Sequence, residues 1–148
     1  MIVKLKKNSI KARQRARRFA MQAIYQWQLT QHTFTEIAAQ FLSQEEMVSV
    51  DTAYFQVLVQ GVIEYHPDLD QQLQVFLDRP LKELDFVELA VLRLAAYELC
   101  KEPELPYRVV LNEAIELAKR FGAMDGHKYV NGILHKLARQ VRPLEFSC

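Results

Sequence analysis

Apolar residues recur at three- and four-residue intervals along almost the whole chain, the spacing of a helix that buries one face. The first stripe is Ala12, Ala16, Phe19, Ala20, Ala23, Ile24 and Trp27, with Asn8 or Ser9 placed to cap it. Thr33 with Glu36 three residues later has the form of a capping box and predicts a short helix through Phe41 and Leu42. Ser49 or Asp51 can cap a third helix that carries Tyr54, Phe55, Leu58, Val59 and Val62. Pro67 suits the first turn of a fourth, with Leu69, Leu73, Phe76 and Leu77 inside it, and Arg79-Pro80 breaks the chain after that.

Leu84 to Cys100 is apolar on most sides, which marks it as the central helix of the fold. Glu102 to Pro106 holds two prolines and predicts a stiff linker. A sixth helix follows from about Arg108 to Phe121, closed by Gly122, and Asp125 can cap a seventh with the stripe Val130, Ile133, Leu134 and Leu137 that ends before Pro143. No strand pattern, repeat or low-complexity segment competes. The pattern predicts an all-α chain of about seven helices.

At 148 residues the chain has the size of one domain, and with half its residues hydrophobic it can bury a core of its own. No apolar run approaches the roughly 20 residues that a membrane-spanning helix needs. Cys100 and Cys148 offer neither a disulfide framework nor a metal-ligand spacing, so a cytoplasmic location is expected.

Charge changes the picture more than composition does. The net charge is +1, yet residues 1–35 hold eight basic side chains (Lys4, Lys6, Lys7, Lys11, Arg13, Arg15, Arg17 and Arg18) and no acid before Glu36. The rest of the chain is left with 11 basic and 18 acidic groups, so a strongly cationic head precedes an acidic body. One cationic surface facing a polyanion is the natural use of such a split. A transit peptide, a membrane-surface helix and a merely solvated face are the alternatives. Against the first, the pattern runs unbroken into Trp27 and Leu29; against the second, Phe19 and Trp27 lie on the stripe that a core would claim.

On a helical wheel, Lys11, Gln14, Arg15, Arg18, Gln22 and Tyr25 fall opposite the apolar stripe, with Arg13 and Arg17 nearer one flank. An aromatic ring among cations suits single-stranded nucleic acid, since guanidinium groups meet phosphates and the ring stacks on an unpaired base. Contact with a neighbouring helix is the other reading of Tyr25. Helices six and seven could form a helix-turn-helix, but most of the seventh is claimed by the core, and Tyr129 beside Lys128 falls at the edge of its apolar stripe.

Enzymatic chemistry finds little support. There is no glycine-rich phosphate loop, nucleophile elbow or dinucleotide fingerprint, and the four histidines are scattered. Cys100 reads as a small core residue, and Glu83, Asp85 and Glu88 as complements to a helix dipole. No catalytic residue, cofactor or metal is expected.

Residues Ala16–Leu29 (ARRFAMQAIYQWQL) resemble the first helix of the bacterial NusB antitermination family. Leu111–Gly122 (LNEAIELAKRFG) with His127–Leu134 (HKYVNGIL) is similar to that family's signature, and Ala90–Leu99 (AVLRLAAYEL) to its central helix. The likeness runs from about Lys11 to Pro143. It implies a single domain of two small packed helical bundles. The implied function is binding of the single-stranded boxA element of nascent ribosomal RNA transcripts, together with NusE (a small-subunit ribosomal protein), and joining RNA polymerase with other Nus factors. It implies RNA contacts at Arg13, Gln14, Arg15, Arg17 and Tyr25, and a second patch at Asp125, Lys128 and Tyr129. Gln14 stands where arginine is common in the family, and Tyr129 where phenylalanine is frequent. The NusE surface implied falls on the central helix and the turn before it, at Leu84, Glu88 and Arg93, where acidic groups suit a basic partner. Met1–Ile10 and Leu144–Cys148 lie outside the likeness and are expected to be mobile ends.

Overall fold

The first helix, α1 (Ile2–Thr30), carries the longest stripe, with Ala16, Ala20, Ala23 and Ile24 fully buried and Met21 and Trp27 beside them. The computed structural model describes residues 2–146, with side chains from Ile10 onward; Met1, Ser147 and Cys148 lie outside it, as do the side chains of Lys4, Lys6 and Lys7. α1 begins ahead of Asn8 and Ser9, so neither is its cap. It stops where Gln31 turns left-handed (φ 58°) and both its backbone and side-chain N–H groups close on the Trp27 carbonyl, at 2.8 and 3.1 Å.

Thr33 opens α2 (Phe34–Leu42) by accepting the Glu36 N–H at 3.2 Å. Of the two candidate caps for the next helix, Asp51 serves, accepting the Tyr54 N–H at 3.0 Å at the start of α3 (Thr52–Gln74). The separate helix expected to start at Pro67 does not form. α3 runs straight through this proline, joining the expected third and fourth helices, and Phe76 and Leu77 fall beyond its end. A proline inside a helix leaves the carbonyl four residues back without a donor. Here that carbonyl, Ile63 O, is met by Nδ1 of His66 at 2.7 Å, and the proline ring stands on the exposed face. His66 is itself braced against Trp27, ring to ring at 4.9 Å.

The central helix α4 (Phe86–Lys101) starts after its cap Asp85, leaving Leu84 just outside it. Every residue from Leu89 to Leu99 is buried. α5 (Tyr107–Phe121), α6 (Gly126–Val141) and a short α7 (Pro143–Phe146) complete the chain. The end expected to be mobile is thus helical as far as Phe146, whose ring stacks on Tyr107 at 4.3 Å. Among the described residues the seven α-helices agree in number with the sequence reading for a different reason: two expected helices merge, and α7 is added. α4 packs on α1 and α3 on one side and on α5 and α6 on the other, giving two small bundles that share it.

Charged groups are built into this junction. Arg17 of α1 and Tyr54 of α3 both donate to the Glu98 carboxylate of α4, with Arg17 Nε at 2.9 Å. Arg93 forks onto Asp70 at 2.9 and 2.8 Å and lies over the Trp27 ring. Arg142 reaches back to the carbonyls of Leu99, Glu102 and Leu105 at 2.7–2.9 Å, so it caps the C-terminal end of α4 and holds the proline linker.

Candidate nucleic-acid interface

α1 and α5 lie side by side with a groove of about 610 Å³ between their exposed edges. Lys11, Gln14, Arg15 and Arg18 come from α1, spaced three and four apart along one face; Glu113, Glu116, Lys119 and Arg120 come from α5. Gln14 donates to Glu113 at 2.9 Å, which fixes one wall, and Lys119 stands 4.0 Å from Glu116. The other cations are less well matched. Burial, Arg120 and Arg15 together push the Arg18 guanidinium below its ordinary pKa. Positive groups that repel one another across a groove are relieved by an anion, so this geometry favours phosphate.

The wheel places Arg13 and Arg17 off the polar centre; in the structure Arg13 does not line the groove, while Arg17 borders it from the core side, with its guanidinium 3.8 Å from Glu113. Arg13 lies over the Tyr54 ring at 4.3 Å, with Asp51 3.8 Å away. Arg17 is 4% exposed and turned inward. Burial opposes its charge, but Glu98 outweighs that and raises its pKa overall. The expectation that Arg17 meets phosphate directly therefore does not fit its placement: its guanidinium is already engaged by Glu98 inside the core. Lys119 and Arg120 escape a sequence reading because nothing in the sequence says that the last turn of α5 lies beside the middle turns of α1.

Tyr25 is two helical turns beyond Arg18 on the same face, half-buried, with Phe86 meeting its ring edge-to-face at 6.4 Å and 78°. The contact with a neighbouring helix is therefore present, and the ring still reaches the surface. At the start of α6, Asp125 and Lys128 are exposed and 3.4 Å apart. Asp125 occupies the cap position, although its side chain accepts no helix N–H. Tyr129 donates its hydroxyl to Asp78 at 2.8 Å, and Arg79, which also binds Asp78 at 2.8 Å, lies over its ring. Hydrogen bonds from Arg79 and Tyr129 hold the Asp78 carboxyl down to about 2. In the sequence Arg79-Pro80 reads only as a chain break, which gives no sign of this pairing.

The three residues expected to face NusE are placed unevenly. Leu84 is buried at 4% exposure, and Arg93 is buried against Asp70, so neither offers a docking surface. Arg93 is drawn onto Asp70 of α3 and over Trp27 of α1, and Leu84 is tucked into the core from the turn ahead of α4, contacts distant in sequence that the local pattern does not announce. Glu88 is half-exposed against Gly126, with its carboxyl raised by burial and by Asp85. Among the described residues no group of three or more His, Cys, Asp or Glu is placed to hold a metal ion, and no helix is long and apolar enough to cross a membrane.

Comparison with known proteins agrees with this architecture. The model of the NusB family matches residues 14–139. The transcription antitermination protein NusB of Idiomarina loihiensis is 55% identical over 89% of this chain and 95% of its own length; that of Alcanivorax borkumensis is 54% identical over 92% and 91%. Among solved structures, T. maritima NusB superposes with a TM-score of 0.78 at 28% identity, covering 90% of this chain and 95% of that one. A chain from a complex of antitermination factors NusB and NusE with double-stranded RNA superposes with a TM-score of 0.74 over 88% of this chain and 98% of that one, and at 22% identity this likeness is one of fold. With a family model spanning most of its length and curated relatives more than half identical to it, the chain belongs to the NusB family.

Proposed function

We propose that this chain is a transcription antitermination factor that binds the single-stranded boxA element of nascent ribosomal RNA transcripts together with NusE and joins RNA polymerase with other Nus factors. The observation that carries the reading is the cationic groove between α1 and α5, where Lys11, Arg15, Arg18, Lys119 and Arg120 converge and where burial and the like charges of Arg120 and Arg15 lower the pKa of Arg18. In this reading Lys11, Arg15, Arg18, Lys119 and Arg120 bind phosphates, Tyr25 stacks on a base, and Asp125, Lys128 and Tyr129 form a second contact. Arg13 flanks the track, and Arg17 acts from the core by fixing the helix that presents the others. Glu88 is the member of the NusE set that reaches the surface. The chain works by binding, in the bacterial cytoplasm, with no catalytic step of its own.

The test is a fluorescence-anisotropy titration of a boxA-like RNA, with and without purified NusE, at two salt concentrations. The reading expects binding that tightens with NusE and weakens with salt, the slope of log affinity against log salt rising by about 0.7 for each phosphate neutralised. A flat salt response, or preference for duplex DNA over the RNA in competition, would remove the groove from the account.

A further inference from the structure

The exposed face of α1 does not end with its cations. Continuing at the same three- and four-residue spacing past Arg18, it presents Gln22, Tyr25, Gln26 and Leu29, which line a second opening of about 410 Å³. Its opposite wall is Phe121, the residue after the groove's Arg120, with Val87 of α4 close by. One track therefore runs along α1, basic in its first half and apolar in its second, with no charged side chain lining the second half among the described residues. The rise from Arg18 to Gln22 is about 6 Å, close to one nucleotide of extended single strand.

An apolar slot with an aromatic wall and carboxamides at its rim has the complement of a nucleobase: faces that shed water and edges that need donors and acceptors. The two carboxamides are differently engaged. Gln22 makes one long bond, 3.3 Å to the Arg18 carbonyl, which a better partner can replace. Gln26 donates to Gln40 of α2 at 2.6 Å, which fixes its plane and leaves its carbonyl oxygen as an acceptor. We infer that this slot is a specificity pocket for one unpaired base, inserted against Tyr25 while its neighbouring phosphates sit on Arg18 and Arg120, with Gln22 and Gln26 reading its edge and Gln40 positioning Gln26. The inference rests on the RNA-binding reading above and adds to it the groups that discriminate the base stacked on Tyr25.

The probe is a boxA-like RNA and its series of single abasic variants, followed for each position by the four-base substitutions, against the full chain, Gln22→Met and Gln26→Met. Methionine keeps the length and helix preference of glutamine and removes the carboxamide. Melting temperature and helicity establish that each variant is folded. The expected result is one position at which base removal weakens binding on the order of tenfold, with base preference there flattened in both variants and the salt slope unchanged. Salt-sensitive binding with abasic losses spread evenly, or base preference untouched in both variants, overturns the pocket and leaves the proposed function standing. Loss of NusE binding instead of RNA discrimination assigns the slot to a protein side chain and also overturns it. No RNA binding by the unaltered chain overturns both.

Discussion

Replacing Arg17 with methionine separates a core arginine from a phosphate-binding one. Arg17 and Glu98 have side chains 5% and 2% exposed and lie 2.9 Å apart, and Tyr54 donates to the same carboxylate. Removing one partner of such a pair leaves a buried charge uncompensated, which costs about 3–5 kcal/mol. For a domain of this size each kcal/mol moves the melting temperature by about 2–4 °C, so Arg17→Met should lower it by on the order of 10 °C. The double variant Arg17→Met/Glu98→Leu should recover part of that loss, because no charge is then stranded, although the Tyr54 hydroxyl still lacks its acceptor. Thermal melts by circular dichroism read the first quantity. Anisotropy with the boxA-like RNA over a salt series, well below the melting temperature, reads the second. The placement of Arg17 predicts a large loss of stability with no change in salt slope. An unchanged melting temperature with a slope reduced by about 0.7 would refute the reasoning and return Arg17 to the phosphates.

The surface cations should behave in the opposite way. Arg18→Ala or Arg120→Ala should each reduce the salt slope by about 0.7 without lowering the melting temperature, since each removes one of two like charges that face one another across the groove; a loss of stability without a change in slope would count against the groove. Tyr25→Ala should weaken RNA binding by about 1–3 kcal/mol with helicity preserved, and an unaffected affinity would remove the stacking role. Asp78 has its carboxyl held down to about 2 in the folded chain, against an ordinary value of 3.8. Its contribution is therefore fully present above about 4 and is lost as pH falls toward about 2. Melts across that window should show a steeper acid limb for the unaltered chain than for Asp78→Asn, and coincident limbs would show that the Arg79 and Tyr129 contacts do not persist in solution.

The helices are legible because each apolar stripe has one period and most ends carry a chemical mark. Thr33, Asp51 and Asp85 cap by accepting an N–H three residues on, a local event that local sequence can announce. Pro67 misleads for a matching reason. Its cost depends on whether the orphaned Ile63 carbonyl finds another donor, and that donor, His66, is held in place by Trp27 from another helix. Gly122 does end α5 as its sequence position suggests, yet its backbone is extended and not left-handed. Its use there is room, because a Cβ would lie 2.7 Å from the Ala118 carbonyl oxygen.

The site is harder to read because four neighbouring arginines on one helix do different work. Arg15 and Arg18 face the groove, Arg13 lies on Tyr54, and Arg17 is drawn into the core. A wheel distinguishes the first two from the last two by angle. It does not tell a flanking arginine from a buried one, since that depends on a carboxylate 81 residues away in sequence at the position where α4 crosses α1. The same dependence hides Lys119 and Arg120, which become part of the basic track only because α5 is docked through α4 and lies next to α1. Glu98 thus belongs to the architecture of the basic track although it lies outside it. By holding Arg17 it adds a fixed polar contact to the buried stripe of Ala16, Ala20, Ala23 and Ile24, and together they keep α1 in the rotation that turns Arg15 and Arg18 toward the groove and Gln22 and Gln26 toward its apolar end.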